Sequence, residues 1–87
     1  MYSLLLRKSV EEYFHKISRK NPRQFAAIEK KTKEILLKPH HYKNLRAPLN
    51  HLKSVHINKS FVLVYSVNEE NKTVTLEEID HHDKIYK

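Results

Sequence analysis

The chain contains neither cysteine nor glycine in its 87 residues. Without cysteine there is no disulfide framework, no thiolate nucleophile and no zinc–thiolate site, and a reducing cytosol is the expected setting. Without glycine there is no Gly-rich phosphate loop and no dinucleotide fingerprint. A bound phosphate must then be held by side chains or a helix N-terminus, and no cofactor is expected. Long apolar runs are missing too. The one near the N-terminus, Leu4-Leu5-Leu6, is far shorter than the ~7–15 residues of a secretory core or the ~18 of a membrane span. The length suits one domain, and a domain this small buries only ~60–65% of its unfolded surface.

What the chain does have is positive charge, placed unevenly. Hydrophobic residues make up 39% and charged residues 31%, too apolar for a disordered chain, and the net charge is +7. Residues 1–50 hold twelve Lys/Arg against four Asp/Glu, a balance of +8, whereas residues 51–87 hold five against six, a balance of −1. A basic half beside a near-neutral half is the footprint of a polyanion binder, although a solvated helical surface has the same composition.

The apolar pattern changes period near Pro39. Tyr2–Leu6 reads as a short strand. Ser9 followed by Glu12 has the spacing of a capping box, ahead of Val10, Tyr13, Phe14 and Ile17 at helical spacing. Asn21-Pro22 restarts the pattern with Phe25, Ile28, Thr32, Ile35 and Leu36 as the buried stripe, ended by Pro39. The outer faces of this αα-hairpin carry Lys16, Arg19, Lys20, Arg23, Lys30, Lys31 and Lys33, the expected contacts to RNA or ribosome, with Lys43 and Lys84 beyond them. Three strands follow. In His51–Ile57, alternation puts Lys53, Val55 and Ile57 on one face and Ser54 and His56 on the other, unless the register slips by one. Phe61–Val67 is nearly continuous in apolar residues, as in a central strand covered on both faces. Thr73–Ile79 turns Val74 and Leu76 inward, and its Glu77-Glu78-Ile79 step breaks the alternation and predicts a bulge. The expected fold is α+β over residues 1–87: an N-terminal strand, an αα-hairpin, and a three-stranded antiparallel meander in a small twisted sheet packed on the two helices.

Seven histidines are present. His56 lies near the end of one strand and His81-His82 just past another, so a meander can bring them together. Metal-free RNA cleavage needs a base for the 2′-hydroxyl proton, an acid for the leaving 5′-oxygen, and cations for the charge building on phosphorus. A side chain with a pKa of ~6.5 suits either proton role, and Arg46, Lys43 and Lys84 are candidate cations. Metal binding is disfavoured, because extended neighbours such as His81 and His82 point to opposite faces and no HExxH spacing occurs. Of the tyrosines that could stack on bases, Tyr65 sits inside an apolar strand and reads as core, Tyr42 stays a candidate, and Tyr86 is the better functional phenol.

Asn44-Leu45-Arg46, Phe61-Val62-Leu63-Val64-Tyr65 and the closing Ile79-Asp80-His81-His82-Asp83-Lys84-Ile85-Tyr86 resemble, in that order, the "KLR" loop, "YRLVY" strand and "IGHRxxVY" end of the RelE/ParE toxin superfamily. Lys53-Ser54-Val55-His56-Ile57 is most similar to the YafQ branch. The resemblance implies a toxin that cleaves messenger RNA in the ribosomal A site and is masked by a cognate acidic, RelB-like antitoxin. It implies catalytic roles for His56, His82, Arg46 and Tyr86, with His81 beside them. The chain departs from the pattern at Val62 and His82, where the family has arginines, and at Asp80, where it has glycine. The phosphate-stabilising charge would then fall to Arg46, Lys53 and Lys84. A ParE-like gyrase poison and a non-catalytic RNA-binding module are the alternatives.

Overall fold

One residue, Asn21, joins the two helices. Its backbone N–H closes α1 (Lys8–Lys20) by donating to Ile17 O at 2.8 Å, and its side chain opens α2 (Pro22–Leu37) by accepting from Gln24 N–H at 3.1 Å. Pro22 fills the first helical position, where a missing N–H is harmless. This is the junction expected from Asn21-Pro22. The expected capping box at Ser9 does not form. Arg7 occupies the cap position without a side-chain bond. Its N–H is still bonded to Leu76 O at 3.1 Å while its own carbonyl already accepts from Glu11. The strand β1 (Ser3–Leu6) thus runs into α1 without a turn, which leaves Ser9 inside the helix.

The computed structural model describes residues 1–85. After α2 come β2 (Lys53–His56), β3 (Phe61–Asn68), β4 (Thr73–His81) and a single helical turn, α3 (His82–Ile85). The last three strands form the expected antiparallel meander. β1 adds to it parallel to β4, giving one mixed sheet in the order β1-β4-β3-β2. β2 begins at Lys53 rather than His51, because Leu52 N–H turns back to Leu49 O and closes a turn instead of entering the ladder.

The core lies between the sheet and the helical hairpin. Val10 of α1 and Ile35 of α2 pack with Val55, Leu63, Tyr65, Val74 and Leu76. Burying side chains of this size stabilises the fold by ~1.5–3 kcal/mol each. The four residues Val62–Tyr65 are all buried in sequence, the signature of a strand covered on both sides. Tyr65 is core, as expected, and its hydroxyl donates to Pro39 O at 2.7 Å while burial holds its pKa well above the usual phenol value. Tyr42 is drawn to the same core: its ring packs edge-on against Tyr65, leaving it poorly placed to stack on a base.

The predicted bulge is present. Val64 pairs with Glu78 and Tyr65 with Leu76, so Glu77 is the extra residue. Its carboxylate takes Arg7 Nε at 2.8 Å and Ser66 Oγ at 2.6 Å. Burial raises the Glu77 pKa, but the bonds from Arg7 and Ser66 outweigh it and leave the group below its ordinary value. In the turn between β3 and β4 a glycine is the usual occupant of a left-handed position. This chain has none, and Lys72 takes φ of 52° there.

Candidate active site

The register question is settled by β2. Val55 pairs with Leu63 and is buried, which puts Lys53 on the same, helix-facing side and His56 on the other. His56 pairs with Val62, Phe61 pairs with His81, and α3 starts at His82, whose N–H donates to Ser60 O at 2.7 Å. The meander therefore delivers His56 and His82, 26 positions apart in the chain, to one corner of the sheet. Their rings stack with centroids 5.6 Å apart and planes 28° from parallel. Both are exposed.

A cleft of about 330 Å³ opens at this corner, lined by His56, Lys59, Ser60, His81, His82 and Asp83. His81 pairs with Phe61 across the ladder and its ring lies against that of Phe61, with centroids 4.4 Å apart. The Asp83 carboxylate stands 3.7 Å from His82 Nδ1 and is fully exposed, where solvent screening leaves little pairing energy. Lys84 reaches back to the Asp80 carboxylate at 4.0 Å, a solvent-accessible pair that screening leaves weak. Among the described residues no group of three potential metal ligands comes together.

The other expected site residues are distributed differently. Lys53 lies ~10 Å along β2 from His56 at the rise of an extended strand, on the opposite face, with Nζ donating to Tyr42 O at 3.1 Å and Asn44 Oδ1 at 2.9 Å. That ammonium supports the preceding loop instead of the cleft. Arg46 is exposed in that loop, beside Leu45, whose N–H donates to Leu52 O next to the start of β2. It does not line the cleft. Lys43 is exposed nearby, its carbonyl bonded to Ser54 N–H at 3.1 Å. Lys16, Arg19, Lys20, Arg23, Lys30 and Lys33 are exposed along the two helices, and Lys31 is half-exposed in an ion pair with Glu34 at 3.3 Å. Tyr86 lies outside the described residues.

The residue that sequence reasoning passed over is Lys59. Asn58-Lys59-Ser60 reads as a polar turn, yet this turn joins the strand carrying His56 to the strand flanking His82 and forms the cleft wall. A lysine in the hairpin turn next to a candidate catalytic histidine was the available signal. Asn58 Oδ1 accepts from Ser60 N–H at 2.9 Å and Phe61 N–H at 3.1 Å, which fixes the turn and with it the backbone position of Lys59.

Comparison with known proteins agrees with this architecture. The chain is 52% identical over 87 residues, all of its own length and 93% of the other's, to a Methanocaldococcus jannaschii protein provisionally named toxin RelE4. It superposes on the YoeB/ParE toxin from Agrobacterium tumefaciens with a TM-score of 0.82 at 15% identity, covering 92% of this chain and 98% of that one. On the toxin–antitoxin complex RelBE2 from Mycobacterium tuberculosis the TM-score is 0.76 at 24% identity, with coverage of 93% and 98%. The model of the ParE toxin of the type II toxin–antitoxin system parDE matches residues 1–86, and with this match the chain belongs to that toxin family, within the RelE/ParE superfamily.

Proposed function

We propose that this toxin is an endoribonuclease that cleaves messenger RNA on the ribosome, with His56 and His82 as its proton-transfer pair. The observation that carries the reading is the stacking of these two imidazoles at 5.6 Å in an exposed cleft beside Lys59. One ring, neutral, takes the proton from the 2′-hydroxyl. That oxygen attacks phosphorus, and the second ring, protonated, delivers a proton to the departing 5′-oxygen, leaving a 2′,3′-cyclic phosphate. Both rings can reach one phosphodiester, because proton transfer needs only ~2.6–3.2 Å between heavy atoms in the reacting complex. Lys59, in the cleft wall, supplies positive charge where the phosphorane develops its own. The arginines that the family resemblance leads one to expect are Val62 and His82 here; His82 thus carries the charge of the missing arginine only while protonated.

The basic helices are the surface for ribosomal RNA, which a small protein needs to hold a large target. The partner is a cognate antitoxin of acidic and apolar character. Leu4 and Leu5 lie exposed on β1, an edge strand of the sheet, and present apolar surface and unpaired backbone to an added segment. Among the described residues no helix is long and apolar enough to cross a membrane.

The test is to incubate the purified chain with ribosomes programmed with message and to map the cut ends. Cuts that vanish in His56→Ala and His82→Ala support the reading, and wild-type rates in both variants would sink it. A match to the ParE family also favours a second reading, action on gyrase. A supercoiling assay run beside the ribosome assay separates the two, since a gyrase poison inhibits supercoiling whether or not the histidines are present.

A further inference from the structure

The corner that holds the cleft has a second cavity on its other side. It measures about 440 Å³ and is bounded by Tyr13, Ile17 and Asn21 of the first helix and its cap, by Gln24 of α2, and by the turn Asn58–Phe61. Its size falls within the ~300–1,000 Å³ of small-molecule sites. Lys59 and Ser60 belong to both cavities, so the two adjoin across one turn.

Two of the residues that line this cavity, Tyr13 and Gln24, carry buried polar atoms with no hydrogen-bond partner. Asn58 Oδ1 is committed as an acceptor to two backbone N–H groups, of Ser60 and Phe61. Its amide nitrogen must therefore be the donor of the 2.7 Å bond to Gln24 Oε1. That bond in turn fixes the Gln24 amide, so Nε2 is a donor presented away from Asn58. Gln24 is only 9% exposed, and its Nε2 has no partner. Neither has Tyr13 Oη. The two groups are neighbours without reaching hydrogen-bond geometry, and burial, opposed in part by Gln24, raises the Tyr13 pKa and keeps its phenol protonated. Buried groups of this kind are costly unless something pairs with them. The walls are aromatic: Tyr13 and Phe61 lie with centroids 6.4 Å apart, and Phe61 continues to His81 at 4.4 Å, a row of rings from the second cavity to the first.

We propose that this cavity is a nucleobase subsite, which takes the base adjoining the phosphate held at His56 and His82. Aromatic rings backed by two buried, unpartnered polar groups suit a flat heterocycle whose carbonyl oxygen or ring nitrogen would pair with Gln24 Nε2, and with Tyr13 Oη beside it, once those side chains turn toward the cavity. Lys59, in the shared wall, stands where the intervening phosphate passes. The site would make the toxin select cut positions by base identity. The inference rests on the ribonuclease reading for the occupant of the neighbouring cleft, but it is separable in the test.

The test uses the full chain carrying His56→Ala and His82→Ala, so that bound RNA is not cut by the proposed histidine pair. Short single-stranded oligoribonucleotides, each with one abasic position moved along the strand, are titrated by fluorescence anisotropy. One abasic position is expected to weaken binding by roughly tenfold, the scale of a single base stacked on aromatic side chains. Gln24→Leu or Tyr13→Phe should shrink that penalty, and Tyr13→Phe, which keeps the ring, covers the case in which Gln24→Leu does not fold. In the cleaving protein, Tyr13→Phe should broaden the distribution of bases found next to the cut. Equal binding of all abasic strands, or a penalty that neither substitution alters, overturns the proposal. Loss of antitoxin binding in Gln24→Leu with no abasic penalty also overturns it, and assigns the cavity to a peptide. An abasic penalty in a protein whose wild type cuts no RNA supports the subsite and sinks the nuclease; cutting with no penalty does the reverse.

Discussion

The two ends of the sheet both carry histidine and lysine, and they employ them in opposite ways. At the end where β1 starts and β3 turns into β4, the Glu69 carboxylate collects the Tyr2 hydroxyl, His40 Nε2 at 2.8 Å and Lys72 Nζ at 3.1 Å. These bonds, the one from Tyr2 foremost, pull its carboxyl down to about 2. At the other end His56 and His82 stack on each other, the carboxylate beside His82 is an exposed aspartate at 3.7 Å, and among the described residues no ion pair joins Lys59 to an acid. The first end ties its cations to a surface carboxylate, whereas the second presents Lys59 to solvent in the wall of a cleft. Composition alone does not distinguish these ends.

The sharpest way to break the comparison is to exchange the roles of the histidines. His82→Ala should lower cleavage of ribosome-bound message at least ~100-fold, the lower bound for a positioned acid or base. His40→Ala should leave it unchanged. Single-turnover rates measure both, and equal losses in the two variants would erase the distinction between the ends. Thermal midpoints should move little for His82→Ala, since the ring is exposed.

The helices extend the contrast, because among the basic residues proposed for docking there only Lys31 has a carboxylate partner within the described residues. Replacing Lys30, Lys31 and Lys33 by glutamate should weaken ribosome binding strongly, and each lost phosphate contact should reduce the salt slope by ~0.7–0.9. At position 31 the change also turns an i,i+3 attraction to Glu34 into repulsion, worth only ~0.2–0.5 kcal/mol to the helix. Unchanged affinity across a salt titration would class these lysines as solvated surface.

Lys59→Met should slow cleavage by about tenfold, less than the 10²–10³ of a preorganised buried donor because Lys59 is exposed. Lys53→Met should not slow it through lost charge in the cleft, because Lys53 Nζ serves Tyr42 O and Asn44 Oδ1. Measured side by side, the pair tests whether cleft geometry or family position identifies the working cation.

The smallest effect lies at the paired end. Glu69 has a folded pKa of about 2 against an ordinary 4.5. A depressed carboxylate pKa means stability that is fully present above about pH 4.5 and is lost as pH falls toward 2. Glu69→Gln should therefore lower the thermal midpoint slightly at neutral pH, with the gap to wild type closing across that window. A gap independent of pH would show that the ion pairs at this end contribute nothing.

Much of this molecule could be read from short stretches of chain. Asn21-Pro22 carries its own helix stop and start, since cap and capped groups lie within three or four residues. The apolar run 61–67 reads as a central strand, and the break at Glu77 reads as a bulge, because side-chain alternation is local to a strand. Absence of glycine and cysteine excludes whole chemistries by itself. Ser9 failed as a cap for a reason outside its own neighbourhood: the ladder from Leu76 to Arg7 carries β1 straight into the helix. The same holds for the site. Whether Lys53 or His56 meets the cleft depends on the register of β2 against β3. Whether His56 meets His82 depends on two hairpins closing in sequence, and the orientation of the buried Gln24 amide depends on Asn58, 34 residues away. Patterns within one turn or one strand are set by covalent spacing, whereas these encounters are set by packing between elements, which only the folded chain decides.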